Sequence, residues 1–176
     1  MNNMKLAAGS QAPTILVPSL SGGSVDLFST SKEGRWKMVV VYRGKHCPIC
    51  TDYLVQLNEL ASEFDAVGVD IVAVSADSLE RAQEQIIKVS PSYDVAYDLS
   101  FEQMRELGIY ISEPRSPEES DRGFAEPGLF IVNEKGQVQV IDISNTPFTR
   151  PDFNTILMGI KFVRNPQNNY PIRGTL

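Results

Sequence analysis

A chain of 176 residues, 42% hydrophobic and 22% charged, suits one globular domain spanning residues 1–176. Its net charge of -6 argues against nucleic acid or an anionic membrane surface as partner, and no run approaches the ~20 apolar residues of a membrane span. The opening Met1–Gly9 lacks the sustained apolar stretch of a signal peptide, so a cytoplasmic protein is expected.

Residues 1–14 are small and polar and read as an irregular lead-in. Ile15–Val17 and Val25–Leu27 flank a turn-rich Ser-Leu-Ser-Gly-Gly-Ser segment, which predicts a short hairpin. Met38–Tyr42 is a continuous apolar, β-branched run, suited to a strand buried on both faces of a mostly parallel sheet. From Pro48 to Phe64, residues Ile49, Tyr53, Leu57, Leu60 and Phe64 recur at helical spacing and form one apolar stripe. A second buried strand is expected at Ile71–Ser75. Asp77 or Ser78 is placed to cap a helix over Leu79–Val89.

Val95–Tyr97 reads as a short strand, and Ser100–Leu107 as a short helix stopped by Gly108. Residues 112–126 are rich in Ser, Glu, Pro, Arg and Asp and are expected to form a solvated surface excursion. Leu129–Val132 and Val138–Ile143 are strands joined by Asn-Glu-Lys-Gly, a hairpin turn. Pro151 suits the first turn of a last helix running to Val163. Alternating strands and helices imply parallel pairs, and the late hairpin implies an antiparallel edge. The expected fold is therefore α/β: a central mixed sheet, helices on both faces and an N-terminal hairpin extension.

The chemistry concentrates in Arg43-Gly-Lys-His-Cys47-Pro48-Ile-Cys50, which joins a buried strand to a helix. The thiolate is the nucleophile, and the free N–H groups and macrodipole of a helix start stabilise it. Arg43, Lys45 and His46 bring favourable charge, and Pro48 fits the first helical position, where its missing N–H costs nothing. Two intervening residues let the sulfurs meet and part reversibly. A structural disulfide here would close too small a loop to stabilise much. Zinc wants four ligands, and His46 is the sole histidine. Cys47 and Cys50 are thus read as a redox pair needing no metal or cofactor beyond their own disulfide. His46 is read as a residue at the solvent edge that tunes Cys47, Tyr42 as core, and Trp36 as a core lid.

The lead-in Gly9–Pro13, the strand-CxxC-helix unit, the strand at Ile71–Ser75 and Glu126–Gly136 together resemble the peroxiredoxins of the AhpC/TSA family, within the thioredoxin-fold superfamily. The closest likeness is to the subgroup carrying Arg-Gly-x-x-Cys-Pro-x-Cys, and the ending Tyr170–Gly174 is similar to it as well. On this resemblance Cys50 falls on the peroxidatic cysteine, Cys47 on a peroxide-holding threonine, and Pro127 on a supporting arginine that Arg43, Arg115 or Arg122 would have to replace. Pro127 also matches the proline that adopts a cis bond beside the cysteines in thioredoxins. Glu126 before it places a carboxylate near the sulfurs, which would oppose thiolate formation.

The resemblance implies a thiol–disulfide oxidoreductase with an antioxidant or redox-homeostasis role. The alternatives are a peroxidase with Cys50 peroxidatic and Cys47 resolving, and a non-enzymatic redox-sensing or binding module. The partners it implies are a thioredoxin- or glutathione-like thiol donor, a disulfide or peroxide substrate and, since relatives often dimerise, a second copy of the chain. Neither nucleic acid nor membrane is expected among them.

Overall fold

The computed structural model describes residues 5–176. The first four positions of the expected lead-in fall outside them, and the rest of it, to Thr14, is irregular. A hairpin of β1 (Leu16–Pro18) and β2 (Ser24–Asp26) follows. β3 (Trp36–Val41) starts two residues before the expected strand and ends at Val41, with all six residues buried. β4 (Val69–Val74), β5 (Asp94–Ala96), β8 (Gly128–Val132) and β9 (Val138–Ile143) complete a five-stranded sheet in the order β5-β4-β3-β8-β9. β3 pairs parallel with β4 and antiparallel with β8, so the sheet is mixed, as its sequence pattern implies.

Helix α1 (Pro48–Ala66) and helix α4 (Phe153–Arg164) cover one face. Tyr53, Leu57, Phe64, Phe153 and Leu157 bury there against Met38, Val40, Leu129 and Ile131. Tyr53 and Phe153 stack with ring centroids 4.1 Å apart. The expected α1 stripe holds except at Ile49, which is exposed because it sits in the helix's first turn, beyond the end of the sheet. α4 is capped by Asp152, whose carboxylate accepts the Thr155 N–H at 2.9 Å. Pro151 therefore precedes the cap and does not occupy the first turn.

On the other face, Leu27 and Phe28 after the hairpin and Met104 and Leu107 of α3 (Phe101–Leu107) pack on Val39, Val72, Phe130 and Val132. Ser100 and Gln103 close a capping box at the start of α3, and Gly108 ends it in the left-handed region. α2 (Leu79–Val89), capped by Ser78 and not by Asp77, runs beside α1. A third small cluster, with Tyr42, Cys47, Cys50, Leu54, Ala73 and Val89, joins these layers at the C-terminal end of β3. The 112–126 excursion is less solvated than its composition suggests. It is pinched by β6 (Ile111–Ser112) and β7 (Phe124–Ala125), and its last three residues are buried.

Candidate active site

β3 delivers Tyr42 into the core, and the chain then turns through Gly44 and Lys45 to reach Cys47, the N-cap of α1. Cys47 and Cys50 form a disulfide with Cα atoms 5.2 Å apart. The Cys50 N–H donates to Cys47 Sγ at 3.2 Å, so one of the orphan donors of the helix start points at this sulfur. Pro48 occupies the first helical position, as expected. Cys50 is fully enclosed and Cys47 nearly so, but exposed Pro48 and Ile49 make Cys47's side of the pair the outer one.

The turn is held from beneath by Asp77, 1% exposed, which the sequence offered only as a helix cap. Its carboxylate accepts the Lys45 N–H at 2.7 Å and meets Arg81 Nε at 3.2 Å. Gly44 has φ +134°, and a Cβ there would stand 2.7 Å from both carboxylate oxygens, so only glycine fits. Gln85 Nε2 donates to Gly44 O and to Thr51 Oγ1, tying the turn to α1. Neither Gln85 nor Asp77 carries a local pattern that marks it as part of a site.

The β3–β8 pairing ends with Val41 opposite Gly128, and just past it the side chains of Arg43 and Glu126 come within ion-pair distance. Glu126 is buried, accepts from Ser112 Oγ at 2.7 Å, and lies 3.1 Å from Arg43 Nε as an ion pair without hydrogen-bond alignment. The carboxylate expected to oppose the thiolate is therefore matched by Arg43, whose guanidinium also lies over Phe124 at 4.8 Å. The Glu126–Pro127 bond is trans, which corrects the cis bond suggested by the thioredoxin likeness. Pro127 O instead accepts the Ser144 N–H at 3.0 Å, tying the strand end to the loop before α4.

Lys45 turns its ammonium to Glu84 on α2, so its charge is already paired. His46 is half-buried against Phe124, centroids 4.5 Å apart, and neither ring nitrogen has a hydrogen-bond partner. Burial first, then the charge of Arg43, hold its pKa below the ordinary value, so it is neutral near pH 7. The favourable charge expected of His46 is thus absent there.

Arg115 pairs with Glu119, and Arg122 with Asp98 and Asp121, so neither replaces the missing arginine. Arg150, which no local signal singled out, is the cation brought alongside α1. Its guanidinium lies over the Tyr53 ring at 4.4 Å, and its buried Nη1 and Nη2 have no hydrogen-bond partner. Burial lowers its pKa, and the nearby charges of Arg43 and Glu126 place it in the same electrostatic cluster. The excursion is anchored over this end by Arg81 Nη2, which donates to Glu119 O at 3.1 Å.

Such a site suits sulfur redox chemistry: an N-cap sulfur within reach of a second sulfur, beside a largely apolar wall and partly buried cations. Comparison with known proteins agrees. The AhpC/TSA family model matches residues 8–141. YkuU of Bacillus subtilis, named among the peroxiredoxins, is 25% identical over 144 residues, covering 74% of each chain. The thiol–disulfide oxidoreductase ResA of Bacillus cereus is 24% identical over 135 residues, 76% of this chain and 68% of its own. The structure of peroxiredoxin 6 from Arenicola marina superposes with TM-score 0.77 at 17% identity, covering 92% of this chain and 75% of that one. No described helix is long and apolar enough to cross a membrane. The chain belongs to the AhpC/TSA family, and it is an oxidoreductase of thioredoxin-like fold with Cys47 and Cys50 joined as a disulfide.

Proposed function

We propose that the protein reduces disulfides by dithiol exchange, with Cys47 attacking and Cys50 resolving. The observation that carries the assignment is the Cys50 N–H aimed at Cys47 Sγ, which favours negative charge on Cys47 when the pair is reduced. The Cys47 thiolate attacks one sulfur of a substrate disulfide, forms a mixed disulfide and expels the other sulfur as a thiolate. Cys50, losing its proton, then attacks Cys47 Sγ and releases the second substrate thiol. The substrate gains two electrons and the pair ends as the Cys47–Cys50 disulfide. A thioredoxin- or glutathione-like thiol re-reduces it by the same exchange in reverse. Arg43 and Arg150 supply positive charge at this end, Pro48 preorganises the helix start, and Glu126 offsets Arg43. Lys45 is held in place by Asp77 and Glu84. The working unit is one domain in the cytoplasm.

Peroxide reduction is the second reading, favoured by the peroxiredoxin relatives and by Arg150's partnerless guanidinium. There the Cys50 thiolate attacks one peroxide oxygen, breaking the O–O bond to give the sulfenic acid and water or an alcohol, and the Cys47 thiol condenses with it to the disulfide, releasing a further water. Substrate trapping separates the roles. Cys50→Ser is expected to accumulate mixed disulfides through Cys47, seen on non-reducing gels, and Cys47→Ser to accumulate none. The converse pattern reverses the assignment. Stopped-flow oxidation by hydrogen peroxide at the rate of a free thiolate excludes the peroxidase.

A further inference from the structure

The Tyr170–Gly174 ending has no part in the cysteine site; it flanks a half-open cavity beside α4 and β9. After a 3-10 turn at Pro166–Asn168, Tyr170 meets Phe162 edge-on at 5.6 Å, and Arg173 lies over the Tyr170 ring at 4.8 Å. The strap then reaches the lead-in, where Thr175 Cγ2 lies 3.2 Å from the position of a Cβ on Gly9. Beside it is a cavity of about 260 Å³ with a mostly apolar wall from Trp36, Ile131, Val140, Ile156 and Ile160, joined by the polar Gln139 and Thr155 and with Tyr170 and Arg173 at its rim.

The cavity is open to solvent on one side, and its volume exceeds the ~150 Å³ of apolar space that already admits benzene. Gly159 makes room for it. It stands in mid-α4, where glycine is the least favourable residue after proline. Its φ is not positive, and a Cβ there would meet nothing within 4 Å. The other two glycines of ordinary φ differ, since a Cβ on Gly123 would strike the Phe101 ring at 2.6 Å and one on Gly128 would lie 2.9 Å from Ile109. Neither conformation nor crowding calls for glycine at 159; what it leaves is space. Arg173 is the one charged residue lining the cavity, and it joins no ion pair among the described residues.

We propose that this cavity binds a small apolar carboxylate, its chain against Trp36 and α4 and its carboxylate on Arg173. This site is separate from the cysteines and stands whatever their substrate. Trp36 is the only tryptophan, so its emission reports occupancy directly. Titrating the full chain with hexanoate is expected to give a saturable change in Trp36 emission, with 1-hexanol binding about ten-fold more weakly. Arg173→Gln should bring hexanoate down to the level of hexanol. Gly159→Leu, which fills the space with a better helix former, should abolish both responses while circular dichroism stays native. No saturable response, or one that survives Gly159→Leu, overturns the site; equal binding of acid and alcohol overturns its carboxylate preference. A wild-type dimer in sedimentation that Gly159→Leu splits, with no response to hexanoate, would show that a second copy covers the cavity instead.

Discussion

Cys47 owes its proposed role to its position as N-cap, and its charged neighbours set how far that role goes. Glu126 holds part of Arg43's charge, so neutralising it should release that charge toward the sulfurs. Glu126→Gln is expected to lower the reactive thiol's pKa, read from thiolate absorbance of the reduced protein across pH; an unchanged or higher value would remove Glu126 from the electrostatics of the pair. His46 carries a pH dependence of a different kind. Its folded pKa lies below the ordinary 6.5, so the folded state binds this proton less readily than the unfolded chain. Stability on this account is intact above ~6.5 and is lost as pH falls from there through the lower folded value. Urea midpoints at pH 7.5 and 5.5 should therefore differ less in His46→Gln than in the native protein. Cys47, Cys50 and Pro48 were legible residue by residue, because a helix-start CxxC carries its own chemistry. Asp77, Gln85 and Arg150 were not, because each matters through a partner far away in the chain.

At the scale of elements, the Arg43–Cys50 turn is held by long-range polar contacts more than by its own propensity. Asp77 and Gln85 reach it from the end of β4 and from α2. Gly44→Ala would force a Cβ at φ +134° into the Asp77 carboxylate. A loss of about 2 kcal/mol or more is expected in denaturant unfolding, together with slower reduction of a disulfide substrate. A variant with native stability and native rate would show that the turn adapts. Periodicity predicted α1 and a cap predicted α2, and both helices form over the expected residues. It misjudged edges of elements. Pro151 reads locally as a helix start, but Asp152 caps α4 because its carboxylate reaches the Thr155 N–H. The excursion reads as solvated because its composition is polar, whereas Phe124 at its end is buried beneath Arg43 and His46.

For the molecule as a whole, the Cys47–Cys50 bond contributes chemistry and little to the fold. It spans a separation of three residues, and closing so short a loop adds about 2 kcal/mol at most on chain-entropy grounds. Reduction should lower the calorimetric melting temperature by about 4–8 °C and leave a cooperative transition. Loss of folding on reduction would recast the bond as a structural staple. Stability rests instead on the two apolar layers around β3, whose six residues are all buried.

By itself the sequence determined the alternation of strands and helices, the buried character of β3, the mixed sheet and the redox pair. These follow from short-range facts: side-chain periodicity, β-branched runs, caps and the spacing of two sulfurs. Only the tertiary structure decided which charges meet that pair, that Glu126 is matched by Arg43 just past the paired ends of β3 and β8, and that Pro127 is trans. It alone brought Arg150 alongside α1 and folded Tyr170 and Arg173 beside the space at Gly159. Those contacts join residues tens of positions apart, and no local pattern encodes which of many polar groups will end up facing one another.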